Sequence, residues 1–277
     1  MLECTLSPAA AIARCAANAL REELETYPKP GLVSFVDHGS HPDMDAECFL
    51  TSIAAIEPFF EQMAAAGSAG CELLTLQKIG ISAEEAMLAA TQGRNTHRGA
   101  IFCLGLLTAA AGWQTSHPEF STLSLGGIVR HCWGDEILLP DDLPALSAGL
   151  AVCHRHGLGG VRSEAKQGFP SVFEAALPAF RRCLTQRDRA AARVQTFFVL
   201  LEICEDTTLW KRGGIRGPHY AKLAARRFLR NGGVIDANWV ARGTAIHRAF
   251  VRRNLTAGGA ADLLAATLFA NDVSHLS

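Results

Sequence analysis

Five short stretches of this chain gather side chains that bind anions, hold metals or move protons. They are KPGLVSFVDHGSHPDMD (29–45), TQGRNTHRG (91–99), GVRSEAKQGFP (160–170), EDTTLWKRGG (205–214) and TAGGAADLL (256–264). Each contains glycine and lies beside an apolar run, whereas connections between helices are normally short and chemically bland. The first holds Asp37, His38, His41, Asp43 and Asp45. Mixed histidine and carboxylate donors suit a metal; equally, Asp43 or Asp45 caps a helix and the histidines lie in solvent. An H-x-x-H word across a proline-containing loop is not the helical pair of a zinc protease. In the second, Arg94, His97 and Arg98 precede a helix start near Gly99, where outward N–H groups and basic side chains suit phosphate oxygens. The competing reading is a loop in which Asn95 or Thr96 bonds the backbone.

The third stretch offers Arg162, Glu164 and Lys166 among glycines, either as ligand contacts or as a surface ion-pair cluster. The fourth sets Glu205 and Asp206 at the end of the apolar run VQTFFVLLEIC. Carboxylates at a helix C-terminus oppose the helix dipole, so a cation is expected beside them: Mg2+, or Lys211 and Arg212. The fifth, Gly258-Gly259 followed by Asp262, is a dipole-favoured helix start, and its glycines also allow a ligand to approach closely. Together these stretches point to a phosphate-rich anionic substrate with a divalent cation. Mg2+ fits best, because it is bound through one or two carboxylates plus substrate phosphates. No G-x-x-x-x-G-K-[ST] loop, no strand followed by G-x-G-x-x-G, and no G-x-S-x-G word is present, so the common nucleotide folds and the serine-hydrolase elbow are not indicated.

The elements that must position these residues read as helices. The chain has 277 residues and is 49% hydrophobic with 7% aromatics, and alanine leads its apolar set. Alanine is the best helix former and a poor strand former. Ser7-Pro8 opens a helix to about residue 25, with Ile12, Cys15, Ala16 and Ala19 on one stripe. Pro28, Pro30 and Gly31 then forbid helix. Asp45 caps a second helix with Phe49, Leu50 and Ile53 inward, and Pro58 kinks or restarts it. Ser82 and Glu85 have capping-box spacing. Further helices are expected near 99–111, 119–132, 144–156, 171–186, 188–204, 219–230, 236–253 and 260–270. In the 236–253 helix, Trp239, Gly243, Ile246 and Phe250 form a packing seam. The expectation is an all-α chain with a single compact domain over residues 1–277, about ten helices, and polar connections forming a site for a phosphorylated small molecule.

The formal net charge of −1 gives no basic excess for nucleic acid. The apolar run Ala100–Ala111 falls short of the roughly 20 residues a membrane span needs. The N-terminal segment carries Glu3 and lacks the basic region and long apolar core of an export signal. The nine cysteines form no C-x-x-C pair. They read as reduced thiols of a cytoplasmic protein, with Cys48, Cys103, Cys153, Cys183 and Cys204 in apolar surroundings.

In this order the five stretches resemble the triphosphoribosyl-dephospho-CoA synthase family, which makes the prosthetic-group precursor for citrate lyase and malonate decarboxylase. The matching words are PKPGLV with D-H-x-S-H-x-D-M, then T-x-G-x-N-T-H-R-G-A-I-F, G-V-R-x-E-A-x-x-G-F-P, E-D-T-x-L with K-R-G-G, and G-G-x-A-D-L-L-A. They span residues 28 to about 269, and the N-T-H-[KR]-G-A-I-F word is the most specific. Thr208, Lys211 and Gln92 depart from the family's usual Asn, His and Gly. The resemblance implies that the 2′-hydroxyl of 3′-dephospho-CoA attacks C1 of the ATP ribose with inversion and displaces adenine. The malonate decarboxylase branch is slightly favoured. On this reading Glu205 and Asp206 supply metal binding and one general base, and His97 joins them as a catalytic residue. Asp43 and Asp262 are further Mg2+ carboxylates. Lys29, Arg98, Lys211 and Arg212 hold phosphates, Asn95, Thr96 and His97 orient ribose or adenine, and Arg162, Glu164, Gly258 and Gly259 complete the substrate contacts. ATP and 3′-dephospho-CoA are the expected partners, neither nucleic acid nor membrane is, and homo-oligomerisation is open. The competing readings are an Mg2+-dependent hydrolase of N-glycosidic or ADP-ribosyl bonds and a non-enzymatic maturation partner of a decarboxylase or lyase.

Overall fold

Ser7 and Pro8 open the first helix as their types require. The computed structural model describes residues 6–143 and 147–276. In α1 (Pro8–Glu25) the Ser7 side chain accepts from the Ala10 N–H, and Ile12, Ala16, Ala19 and Leu20 are buried. Helix α2 (Ala46–Ser68) is capped by Asp45, whose Oδ1 accepts the Cys48 N–H at 2.8 Å. Its stripe runs through Ile53, Ile56, Phe60 and Met63. Leu50, expected inward, falls off that stripe and is 37% exposed. Pro58 neither restarts nor ends α2. It lies on the exposed face, where water can satisfy the carbonyl its missing N–H leaves free.

Helix α3 (Leu73–Ala90) corrects the expected cap at Ser82, which lies inside the helix with Glu85. The true start is held from a distance: the Leu73 N–H donates to Glu136 Oε2 at 3.2 Å. The rest of the chain follows as α4 (Arg98–Ser116), α5 (Leu125–Trp133), α6 (Ala148–His156), α7 (Gly160–Lys166), α8 (Leu177–Leu184), α9 (Arg189–Ile203), α10 (Thr207–Gly213), α11 (Arg216–Arg230), α12 (Trp239–Arg252) and α13 (Gly258–Val273). A π-type turn, Ser171–Ala176, leads into α8. No strand occurs among the described residues, as the composition implies. The number of helices exceeds ten because two stretches read as connections fold into the short helices α7 and α10. The start of the 144–156 helix and Glu3 lie outside the described residues.

Helices α4 and α13 are apolar on every side and form the axis of the fold, as expected of fully buried helices. Helix α4 packs on α1, α2, α3, α5 and α13; α13 packs on α1, α4 and α9. The α2–α4 contact needs glycine on both sides. A Cβ on Gly67 would stand 2.0 Å from the Ala109 carbonyl oxygen, and one on Gly112 would stand 1.9 Å from that of Ala64. Residues from α1 to α13 join one apolar core, in which each fully buried Leu, Ile or Phe contributes about 1.5–3 kcal/mol. A small second cluster, Leu24, Val33 and Met44 with Phe49 against it, seats the 26–45 loop. The seam on α12, expected against another helix, packs mainly on the loop after α1: a Cβ on Gly243 would meet Pro28 Cγ at 2.4 Å and Phe228 Cε2 of α11 at 3.7 Å. Cys103, Cys153, Cys183 and Cys204 are buried and free, while Cys48 is half-buried. No helix of the described residues is long and apolar enough to cross a membrane.

Candidate active site

Helices α1, α4, α10 and α13 and the 26–45 loop enclose a cavity of about 160 Å3. Three helix starts, those of α4, α10 and α13, contribute Arg98 and Gly99, Thr208, and Gly258 to its lining. Converging N-termini bring partial positive charge to one place, which favours anions.

Asp262 enters from the second turn of α13. Its carboxylate rests against the start of α4, where a Cβ on Gly99 would meet Asp262 Oδ2 at 2.0 Å. Asp262 keeps an open face that lines the cavity, although the carboxyl group itself sits deep in the molecule. Burial pushes its pKa well above the usual carboxylate range. The charges of Glu23 and Asp206 add to this, while the Ala100 N–H and Lys29 oppose it. No ion pair to Asp262 occurs among the described residues. Gly99→Ala is therefore expected to displace this carboxylate. Turnover should fall at least about tenfold, with a stability loss of about 1–3 kcal/mol, read by steady-state kinetics and a thermal melt.

Beside it, Lys29 is 1% exposed, and its Nζ donates to the Glu23 carbonyl at 2.8 Å and to Glu23 Oε1. Burial lowers the Lys29 pKa, and the Glu23 charge pulls it back up. The loop carrying Lys29 is tied to α12: His247 Nδ1 lies 3.0 Å from the Lys29 carbonyl oxygen, and its Nε2 lies 3.0 Å from Asp37 Oδ1. His41 lines the cavity and bonds Thr256 Oγ1 at 2.9 Å through Nε2, while Arg212 donates to its Nδ1 at 3.2 Å. Burial, reinforced by the Arg212 charge, pushes His41 down to about 4, so the ring is neutral at pH 7. Arg212 also donates to the Ser40 carbonyl at 2.7 Å and to Asn254 Oδ1. It thus braces the first stretch and does not itself line the cavity.

The TQGRNTHRG stretch does two jobs. Asn95 Oδ1 accepts the Arg98 N–H at 3.2 Å, which is the backbone-bonding role. Asn95, Thr96, His97 and Arg98 also line the cavity. Arg98 is partly exposed and paired with Glu84 at 2.7 Å. His97 is buried, and burial, with the nearby Lys29 charge, pushes it down to about 3.

The dipole argument at Glu205-Asp206 is corrected by the structure. Helix α9 ends at Ile203, and Asp206 is the N-cap of α10. Its Oδ1 accepts the Thr208 and Leu209 N–H groups at 2.9 and 3.2 Å and the Thr208 hydroxyl, and its Oδ2 accepts the Ala260 N–H of α13 at 3.0 Å. The dipoles of two helices therefore favour this carboxylate. Burial raises its pKa and these bonds lower it. The space beside Gly258 and Gly259 is likewise taken from within: Cβ atoms there would stand 3.3 Å from Thr208 Cγ2 and 3.3 Å from the Asp206 carboxyl carbon. Asp206→Ala is expected to cost about 2–4 kcal/mol, combining a lost cap with a buried Ala260 N–H left unpaired, as a denaturant melt would read.

Several residues expected at the site lie elsewhere. Glu205 is exposed and accepts the Gly159 and Gly160 N–H groups at 3.1 and 3.4 Å. Asp43 is exposed. Arg162 donates to the Leu138 carbonyl and stacks over Phe102. Glu164 accepts from the Ser171 N–H at 3.2 Å and from its hydroxyl. Lys211 lines a separate, shallower cavity with Arg155, His156 and Trp210. Among the described residues no group of three or more His, Cys, Asp or Glu is placed to hold a metal ion. Glu205, Asp206, Asp43 and Asp262 form no such group, and Mg2+ needs only one or two carboxylates beside substrate phosphates.

With this geometry in place, the family model of ATP:dephospho-CoA triphosphoribosyl transferase matches residues 9–277. The chain belongs to this family. The 2-(5″-triphosphoribosyl)-3′-dephosphocoenzyme-A synthase of Pectobacterium atrosepticum is 40% identical over 263 residues, covering 91% of this chain and 85% of its own. A Vibrio cholerae protein named "Probable 2-(5″-triphosphoribosyl)-3′-dephosphocoenzyme-A synthase" is 37% identical over 268 residues, 92% of this chain and 86% of its own. One of Lactiplantibacillus plantarum with the same printed name is 36% identical, over 92% and 94%. No solved structure matches. Three residues that brace the cavity lining carried no signal in the sequence. Ser52 lies within an ordinary amphipathic helix, and His247 within the α12 seam. Glu23 lies in the last turn of α1, six residues before the lysine it pairs with. The departure at Thr208 is built in, since its hydroxyl joins Asp206 to the Thr256 carbonyl and the Gly258 N–H.

Proposed function

We propose that this transferase moves the triphosphoribosyl group of ATP to the 2′-hydroxyl of 3′-dephospho-CoA and releases adenine. The observation that carries the proposal is the deep Asp262 carboxylate, without an ion pair among the described residues, in a cavity it shares with Lys29, Arg98 and the start of α4. Displacement at C1′ needs a base for the hydroxyl proton and positive potential for a triphosphate. Asp262 suits the first role, because a raised pKa makes it a better proton acceptor once ionised. Lys29, Arg98 and the start of α4 suit the second. Inversion follows from a single displacement with no covalent intermediate, and Mg2+ held by phosphate oxygens would enter with ATP as part of the substrate. The product would serve as the prosthetic-group precursor for the carrier protein of malonate decarboxylase or citrate lyase, a reading supported by the sequence words shared with that family.

The test is incubation with ATP, 3′-dephospho-CoA and Mg2+, followed by chromatography and mass measurement of the product. Adenine should appear in step with a dephospho-CoA derivative heavier by the triphosphoribosyl group. Adenine released without dephospho-CoA would indicate a hydrolase, and phosphate or AMP in its place would overturn the bond cleavage.

A further inference from the structure

His97 and Ser52 form a polar pair against an apolar part of the cavity. Ser52 Oγ lies 2.7 Å from His97 Nδ1, and the Thr96 hydroxyl donates to Ser52 Oγ at 2.7 Å. Ser52 is fully buried on α2, and among the described residues the imidazole is the acceptor its hydroxyl meets. With Thr96 donating to it, Ser52 gives its own proton to His97 Nδ1. The ring proton must then reside on Nε2. That atom is buried and has no hydrogen-bond partner, on a residue that lines the cavity and is 3% exposed. A buried, unpartnered N–H costs about 1–3 kcal/mol, so a ligand acceptor is expected there.

The surroundings select the kind of acceptor. The Phe49 ring meets His97 edge-on at 5.0 Å, and Phe49 packs on the Val33–Met44 cluster; all three line the cavity with Leu20 and Leu32. A flat, neutral heteroaromatic ring suits this wall. Phosphate charge is met instead by Lys29, Arg98 and the helix starts. His97 stays neutral because burial holds its pKa at about 3, so it offers a hydrogen bond and no net charge.

We propose that His97 donates its Nε2–H to a ring nitrogen, N3 or N7, of the departing purine, and that Ser52 is the positioning residue that holds this tautomer. The proposal rests on the triphosphoribosyl-transfer reading. When the C1′–N9 bond breaks, its electron pair passes to adenine and spreads to N3 and N7. A fixed donor at either nitrogen stabilises that charge as it develops. The 2′-hydroxyl oxygen forms the new bond to C1′ and yields its proton to Asp262. Adenine takes up one proton from water on leaving, His97 keeps its own, and Asp262 returns the hydroxyl proton to solvent, so the count balances with no further reactant.

The experiment compares ATP with its 7-deaza and 3-deaza analogues in wild type, His97→Ala, His97→Gln and Ser52→Ala, all with 3′-dephospho-CoA. The deaza bases differ intrinsically as leaving groups, so the informative quantity is the analogue-to-ATP ratio of kcat/KM in each variant. Wild type should discriminate against one analogue about 10–100-fold more than His97→Ala does. His97→Gln, which keeps an N–H donor, should restore part of the discrimination, and Ser52→Ala should lower kcat and weaken it with KM for ATP little changed. If His97→Ala does not fold, the Gln and Ser52 variants carry the comparison. Equal ratios in wild type and all folded variants would overturn the assignment and direct Nε2–H to ribose or phosphate. Absence of any adenine release by wild type from ATP would instead remove the transfer reading itself.

Discussion

Replacing Asp262 with Asn is expected to lower kcat by about 10²–10⁴-fold, the usual contribution of a positioned base, while the helical circular dichroism stays unchanged. The amide oxygen of Asn can still accept from the Ala100 N–H, so the α4–α13 contact survives, but the group cannot take a proton. The same charge that makes Asp262 useful strains the fold. Its pKa in the folded protein lies well above the ordinary value, chiefly through burial. Between the unfolded and folded pKa the native state binds more protons than the unfolded state, so stability falls as pH rises through that window. Two results follow. The melting temperature of Asp262→Asn at neutral pH should equal or exceed that of wild type, and the gap should close as pH falls below the unfolded value. The wild-type kcat/KM should rise with pH along a limb placed above the normal carboxylate range and absent from the residual activity of the variant. A variant that keeps near-normal adenine release would remove Asp262 from the mechanism.

How much of this was legible in the chain depends on what local chemistry can encode. Ser7, Pro8 and Asp45 announce their helices because a cap is a contact between near neighbours in sequence. The all-helical class follows from alanine content and apolar periodicity, and the apolar run after TQGRNTHRG reads correctly as a helix. The sequence words also placed Lys29, Asn95, Thr96, His97, Arg98, Gly258 and Asp262 together at one cavity. The error at Glu205-Asp206 has a definite origin. The helix there stops at Ile203, one residue before the apolar run ends, because Cys204 is extended and hands the chain to Asp206 as a cap. A shift of that size turns a carboxylate opposed by one dipole into one favoured by two. Ser82 fails for the complementary reason: the start of α3 is satisfied by Glu136, which is remote in sequence. The Ser52–His97 pair was illegible because only the packing of α2 on α4 brings its partners together, and the Glu23–Lys29 pair because it forms across the irregular turn that ends α1.

Lys29→Met should destabilise the transferase by about 3–5 kcal/mol, since it leaves the Glu23 carboxylate buried without its cation. The wild-type pair owes its state to opposing effects: burial drives the lysine toward the neutral amine, and Glu23 holds the proton on it. Glu23→Gln removes that hold. The folded pKa of Lys29 then drops further below its unfolded value, the unfolded state binds more protons in the interval, and stability should rise with pH there. The double variant Lys29→Met/Glu23→Gln separates structure from function. With no charge left to desolvate, it should recover most of the stability, within about 1–2 kcal/mol of wild type, because a neutral buried site can replace an ion pair at little cost. Activity should not recover, because the cavity then meets the triphosphate with Arg98 and helix dipoles alone, and KM for ATP should rise at least about tenfold. Recovery of normal KM in the double variant would mean that Lys29 serves only to neutralise Glu23. Persistent loss in a well-folded protein would place its charge on the substrate.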